Sequence, residues 1–430
     1  MVSLMIAIFC LAYAAIALEH PIKVNKSASA LLAAGLMWTV YAVCGGDIQL
    51  TIENLNESLA ATAQIVFFLM GAMTIVEVVD SHNGFEVITS RIKTVKLSSL
   101  LWLIGIVTFF LSAVLDNLTT TIVMISLTKK LLKHHDDRLF FAGMIVIAAN
   151  AGGAWSPIGD VTTTMLWIGG QITSLAIIKG VFLPSVVCLV IPLLITSFTL
   201  RGKLVVAPDA ALEVTGKCRV TTPFVRNLMF FMGIGALISV PIFKTLTHLP
   251  PFMGILFALG VLWLVGEIVH RADIDEEYKD YVSTVAALKR IDMPSIVFFV
   301  GILLAVASLE HVHVLAGLAE WLNQTVGRID LIVVLIGFAS AVVDNVPLVA
   351  ASMGMYDLAT YPQDSFLWEF LAYCAGTGGS MLIIGSAAGV AAMGLEQIHF
   401  FWYARRIGLL AAAGYLAGAV VYILQFNLTH

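Results

Sequence analysis

The stretch "LWLIGIVTFFLSAVLDNLTTTIVMISL" (Leu101–Leu127) places a carboxylate, Asp116, in the middle of a segment otherwise fit for hydrocarbon. An ionised acid at the bilayer centre costs roughly 2.5–3.5 kcal/mol on insertion scales, so such residues are rare and face a functional cavity. The phrase "SAVLDN" (Ser112–Asn117) nearly recurs as "SAVVDN" (Ser340–Asn345). A single buried acid is compatible with an accident of packing; the same six-residue phrase twice is not.

Working outward, apolar runs fill the chain. Hydrophobic residues make up 60% of the 430 residues and charged residues 12%, against about 25% charged in soluble domains. Runs of about 20 apolar residues, each long enough to span a bilayer, recur from end to end. The fold class is therefore an all-α polytopic membrane protein with almost no soluble domain. Ten crossings are expected, near 2–19, 28–46, 57–79, 138–170, 173–199, 227–247, 252–270, 294–312, 365–393 and 402–427. The first lacks a basic leader, so it is expected to be retained rather than cleaved. The five cysteines are scattered through apolar segments and read as small core residues.

The segments 98–128 and 329–358 carry the repeated phrase and read differently. Basic residues flank the first on both sides: Arg91, Lys93 and Lys96 before it, Lys129, Lys130, Lys133 and Arg138 after it. Positive residues stay cytoplasmic, so this segment enters and leaves on one face as a re-entrant hairpin, with Asp116 and Asn117 near its tip. With the first crossing running outside to inside, 20 of the 23 Lys and Arg fall in cytoplasmic loops, Lys23 and Lys26 among them. Five crossings and one hairpin per half then give two repeats of opposite orientation. Residues 1–200 form the first, with hairpin 98–128 and broken helix 138–170. A cytoplasmic linker covers 201–226, and the second repeat covers 227–430, with hairpin 329–358 and broken helix 365–393. Inverted repeats with paired hairpins and broken helices are the architecture of secondary transporters, with the site at the midplane.

The stretch "ANAGGAWSPIGDVTTT" (149–164) supports a break, since Gly and Pro weaken a helix by about 1 and 3 kcal/mol each. The unwound part is expected at Asn150–Gly159, with Asp160 and Thr162 opening the second half-helix. Its counterpart "CAGTGGSMLIIGS" (374–386) carries Ser380 and Ser386 where an acid could stand. A pocket of Asp116, Asn117, Asn150, Asp160 and Thr162, facing Ser340, Asp344, Asn345, Thr377 and Ser380, is all hard oxygen and suits small hard cations. Asp116 and Asp160 are the expected carriers, since a carboxylate in a partly dry cavity holds a proton or a metal ion but not both. Asp344 is a weaker candidate, as a tip cap or the partner of a buried donor. Glu77, Asp80 and His82 are secondary candidates for proton entry at the cytoplasmic end of a crossing.

Three segments carry a family resemblance: "SAVLDNLTTTIVM", "ANAGGAWSPIGDVTTTMLWIGGQI" and "SAVVDNVPLVAA". They resemble the NhaD family of bacterial sodium/proton antiporters, within the ion transporter superfamily. The resemblance implies exchange of cytoplasmic Na⁺ or Li⁺ for external protons, a multi-pass position in the bacterial inner membrane, and a homodimer. It carries over Asp116, Asn117, Asn150, Asp160, Thr162, Ser340, Asn345 and Ser380 as site residues. The helix expected to open with Asp-Thr before a "FF" phrase reads "MPSIVFF" (293–299) here, with Ser295 near the threonine position.

Membrane lipid and monovalent cations are the expected partners, with no nucleic acid and no cofactor. The rivals are a sodium-coupled carboxylate symporter or an arsenite exporter of the same superfamily. Two acidic tips, and no Lys or Arg expected inside the membrane to neutralise a dianion, argue against them. An intramembrane aspartyl protease ranks lower, because the "IGD" at 158–160 lacks the preceding glycine. No phosphate-binding loop of an ATP-driven pump occurs.

Overall fold

The computed structural model describes residues 1–89, 94, 96–200, 202–205, 221–271 and 276–429. Most of the linker expected at 201–226 and the basic residues Arg91 and Lys93 lie outside them. In the first half the helices are α1 (Val2–Ala17), α2 (Glu19–Ile22), α3 (Lys26–Cys44), α4 (Ile48–Ser81) and α5 (Glu86–Thr89). Two closely joined pairs follow, α6 (Leu97–Leu115) with α7 (Asn117–Leu131) and α8 (His135–Ala154) with α9 (Val161–Ile168), then α10 (Ser174–Thr199).

The second half begins with α11 (Pro223–Thr247), α12 (Pro251–Val269), α13 (Glu276–Val282), α14 (Thr284–Arg290), α15 (Met293–His311) and α16 (Val314–Val326). Its own pairs are α17 (Ile329–Val342) with α18 (Asn345–Met355) and α19 (Phe366–Gly378) with α20 (Ala387–Glu396). The chain closes with α21 (Phe400–Tyr403), a π turn at Ala404–Gly408, and α22 (Leu409–Thr429). Among the described residues there is no strand, only an isolated bridge between Lys96 and Leu204. Among the described residues eight helices are long and apolar enough to cross a membrane, or nine with the α16–α17 pair, bent by 115°, taken as one span. The protein is an all-α polytopic membrane protein.

Both pairs carrying the repeated phrase return to the end they came from. The Leu97 N–H donates to the Lys203 carbonyl at 3.1 Å, just past the end of α10. The α7 helix runs through 132–134 into α8, where Thr196, also near the end of α10, meets Met144 Sδ at 3.9 Å. So α6 starts and α7 finishes at one end of the bundle. The same end holds the start of α15, because Arg290 pairs with Glu77 near the end of α4. The α17–α18 pair uses the other end: residues of α16 share a surface hollow with Met355–Tyr361, and Glu310, near the end of α15, abuts Gly354.

The broken helices sit where broken backbone is tolerated. Every residue of α8 from Phe141 to Ala154 is buried, as is every residue of α19 from Leu367 onward. A helix apolar on all sides belongs inside a large core, and irregular backbone at membrane depth needs that protein shield. The unwound stretch is shorter than the glycines suggest: α8 stays helical through Asn150 and both glycines and breaks only at Trp155–Asp160. Gly152 serves close approach instead, since a β-carbon there would lie 2.2 Å from the Phe109 carbonyl oxygen. Likewise α19 continues to Gly378, where a β-carbon would lie 2.1 Å from the Gly337 carbonyl oxygen.

These contacts repeat between the halves. Ser112 Oγ donates to the Ala149 carbonyl at 2.6 Å, and Ser340 Oγ to the Ala375 carbonyl at 2.8 Å. Gly159 abuts Ser112 O and Gly385 abuts Ser340 O. Each tip is thus stitched to its own broken helix by the same hydroxyl and the same missing side chain.

Gly152→Ala forces the tip helix off α8 and is expected to destabilise by about 1–3 kcal/mol, the usual cost of overpacking. Gly35→Ala, with nothing near its would-be side chain, is expected to hold or raise stability by up to about 1 kcal/mol. Thermal unfolding of the two detergent-purified variants beside wild type checks the contrast.

Candidate functional site

Four helices begin near the centre of the molecule, and each start leaves backbone N–H groups without helical partners. Side chains of the repeated phrases and breaks meet them. Asp116 caps α7, taking the Thr119 N–H and the Thr119 hydroxyl, each at 2.9 Å. Asp160 caps α9, taking the Thr162 N–H at 3.0 Å and the Thr162 hydroxyl at 2.9 Å. Asp344 caps α18 through the Val346 N–H at 3.4 Å, and Ser386 caps α20 through the Gly389 N–H at 3.2 Å. The positive ends of these helices favour negative charge, and three of the four caps are carboxylates.

A buried amide network ties two of these caps, Asp160 and Ser386, together. Asn117 Nδ2 donates to Asp160 Oδ2 at 2.8 Å and to Asn150 Oδ1 at 3.0 Å. Asn150 Nδ2 donates to Ser380 Oγ and to Ser386 Oγ, each at 2.9 Å. Asn150 is fully buried and Asp160 only 1% exposed, so the network joins first-half and second-half residues in a dry interior.

Beside the network lies a cavity of about 60 Å³, lined by Asp116, Asn117, Asp160, Asp344, Asn345, Ser295 and Lys26 among others. It has room for an ion with a few waters. Of the remaining candidates, Thr162 bonds Asp160, while Ser340 and Thr377 spend their hydroxyls on the backbone carbonyls of Ala375 and Tyr373. Glu77, Asp80 and His82 do not line the cavity. Glu77 pairs with Arg290 at 2.6 Å, and His82 is buried with Nε2 2.9 Å from His270 Nε2.

Asp116 stands out in its backbone, at φ 95° and ψ 159°. That region is essentially reserved for glycine, and a side chain held there costs of order 1–3 kcal/mol. Asp344, its counterpart, has ordinary angles of −50° and 133°. The strain sits at one tip only, and it is the tip nearest Asp160.

Two readings of the sequence change. Lys26, counted with a cytoplasmic loop, reaches the cavity, where its Nζ lies 2.8 Å from Asp344 Oδ2. A basic residue at the first turn of an apolar helix can snorkel either way along its stem, and nothing local distinguishes the two. The helix with "MPSIVFF" does open with an acid: Asp292 caps α15, accepting from the Ser295 N–H at 3.3 Å and from its hydroxyl. Asp before a proline in the first turn is the signal that identifies it.

The cavity wall thus holds three carboxylates and one ammonium. Among the described residues no Lys or Arg pairs with Asp116 or Asp160, whereas Asp344 has Lys26. Hard oxygens at a dry site with surplus negative charge suit a small monovalent cation or a proton.

Known proteins share this sequence over nearly its whole length. The family described as citrate transporter (CitMHS) matches residues 13–376. A protein of Arabidopsis thaliana named sodium/proton antiporter 1 is 49% identical over 99% of this chain and 72% of its own length. Sodium/proton antiporter 2 of the same plant is 45% identical over 98% and 99%. The Na(+)/H(+) antiporter NhaD of Vibrio cholerae is 30% identical over 90% and 84%.

Asp116→Gly and Asp116→Ala both delete the carboxylate, but only glycine tolerates the backbone at 116. The glycine variant is expected to be more stable than the alanine variant by about 1–3 kcal/mol, read as a difference in unfolding midpoint in one detergent.

Proposed function

The chain belongs to the CitMHS family and to the NhaD sodium/proton antiporters, and from that membership we propose that its central aspartates exchange Na⁺ or Li⁺ for protons. The observation that carries the reading is the Asp116–Asn117–Asp160 cluster, which borders a cavity and, among the described residues, pairs with no Lys or Arg. Charge at this depth must be neutralised. A metal ion held by carboxylate, amide and hydroxyl oxygens can do it, and so can a proton, but each displaces the other. Competition at one site, exposed to one side of the membrane at a time, is exchange.

The charge distribution supports a direction. The cavity includes Lys26 and Ser295, at the starts of α3 and α15, where Ser27 Oγ bonds the Pro294 carbonyl. The basic loops mark this end as cytoplasmic, which supports loading of a cytoplasmic cation. Residues 1–200 and 227–430 act as the two inverted repeats, with the hairpins 98–128 and 329–358 meeting at the site. Asp116 and Asp160 carry the ion, Asn117, Asn150, Thr162, Ser340, Asn345, Thr377 and Ser380 shape the pocket, and Asp344 takes a lesser part. The bacterial relatives named NhaD support the bacterial inner membrane as the location, although the plant proteins share more of the sequence. A homodimer belongs to the same proposal.

The family description favours one rival, transport of a carboxylate such as citrate. Three acids against a single lysine, itself engaged, weigh against an anionic cargo. A pH-sensitive dye in everted vesicles from an antiporter-deficient host separates the two. Na⁺ or Li⁺ is expected to collapse the imposed pH gradient with wild type, and not with Asp116→Asn or Asp160→Asn, which are expected to remain folded by size-exclusion chromatography. Vesicles that respond to citrate and to neither cation reverse the assignment.

A further inference from the structure

The two hairpin tips are equivalent in the repeat, yet their carboxylates are satisfied differently. Asp116 has the backbone N–H and hydroxyl of Thr119. Asp344 has Pro347 where the first tip has Thr119, so within its own helix it takes only the Val346 N–H at 3.4 Å, and its Oδ2 takes the Lys26 ammonium at 2.8 Å. Lys26 comes from the other half of the molecule. It opens α3, whose Asn25 cap accepts the Ser27 N–H at 2.8 Å, and its Nζ also lies 4.5 Å from the centre of the Phe298 ring. The side chains of Lys26 and Asp344 are 22% and 13% exposed. The ammonium borders two spaces at once: the central cavity shared with Asp116 and Asp160, and a smaller one reaching Ser386.

We propose that Lys26 is a tethered counter-ion that fills a second cation position at Asp344, equivalent by the repeat to the mobile-ion position at Asp116 and Asp160. This rests on the cation-exchange reading above and deepens it by stating how many mobile ions the site takes. An ammonium is a compact point charge much like a monovalent metal ion, and at 2.8 Å it occupies the place where such an ion would sit on the carboxylate. The repeat supplies carboxylate and amide at both tips, Asp116–Asn117 and Asp344–Asn345. Only one pair is left open. Taking the ammonium away leaves a partly buried carboxylate without its partner, a costly state, and a small metal ion from solution is the natural replacement.

The test is a count of bound ions on purified full-length protein in detergent, using radioactive Na⁺ at saturation, beside proton movement in proteoliposomes. Wild type is expected to hold about one Na⁺ per chain, and Lys26→Met about two, because the vacated carboxylate now takes its own ion. Adding Asp344→Asn to Lys26→Met is expected to return the count to about one, and Lys26→Arg to keep it there, since the cation is retained. If Lys26→Met does not survive purification, Lys26→Gln, neutral but able to hydrogen-bond Asp344, is counted in its place. An unchanged count in the neutral variants, or two ions already bound to wild type, overturns the tethered counter-ion and leaves the exchange reading standing. Wild type that binds no Na⁺ or Li⁺ and moves no protons with either overturns both.

Discussion

Ending a helix inside a membrane leaves backbone N–H and C=O groups where water cannot reach them, and everything distinctive in this protein follows from having done so four times. An unmet buried donor costs about 1–3 kcal/mol, so each helix start needs an acceptor from a side chain. Asp116, Asp160, Asp344 and Ser386 are those acceptors. Once carboxylates are in place as caps they bring charge into a dry interior, and that charge must be answered. The need for a cap and the presence of buried charge are one feature.

The repeat makes the scaffold twofold, and substitutions within it make the site one-sided. The stitching serines, the close-packed glycines and the tip amides recur in both halves. At position 386, however, a serine stands where the first half has Asp160, and at the second tip a lysine from the other repeat engages Asp344. Of the two tips, only that of Asp116 has its backbone at positive φ. Carboxylates without a basic partner among the described residues are thereby concentrated in the first half, while the second half contributes hydroxyls and a compensated carboxylate. Asn150 keeps the halves in register by bonding both Ser380 and Ser386.

Much of this was legible because it depends on local chemistry. Asp116 and Asp160 announce themselves by being ionisable in an apolar run, and Asp160 by preceding a threonine-rich helix start. Glycines were harder to read: the pair at 152 and 153 looks like a helix breaker, whereas Gly152 in fact lets Phe109 pack directly on α8. A propensity is a weak prior that close packing overrides. Glu77 and His82 are legible as ionisable groups at the end of α4, but their partners, Arg290 and His270, are set only by tertiary packing.

The sequence by itself determined that the chain spans a membrane, that its halves share a repeated acidic phrase, and which carboxylates lie at membrane depth, because hydropathy and charge act residue by residue. Tertiary structure alone decided which of those carboxylates keeps a fixed partner. The Lys26–Asp344 pair joins residues 318 positions apart, and no local signal tells a lysine at a helix start whether to reach for solvent or for a buried acid. That choice depends on how α3 packs beside α15 and how the second tip comes to lie against both.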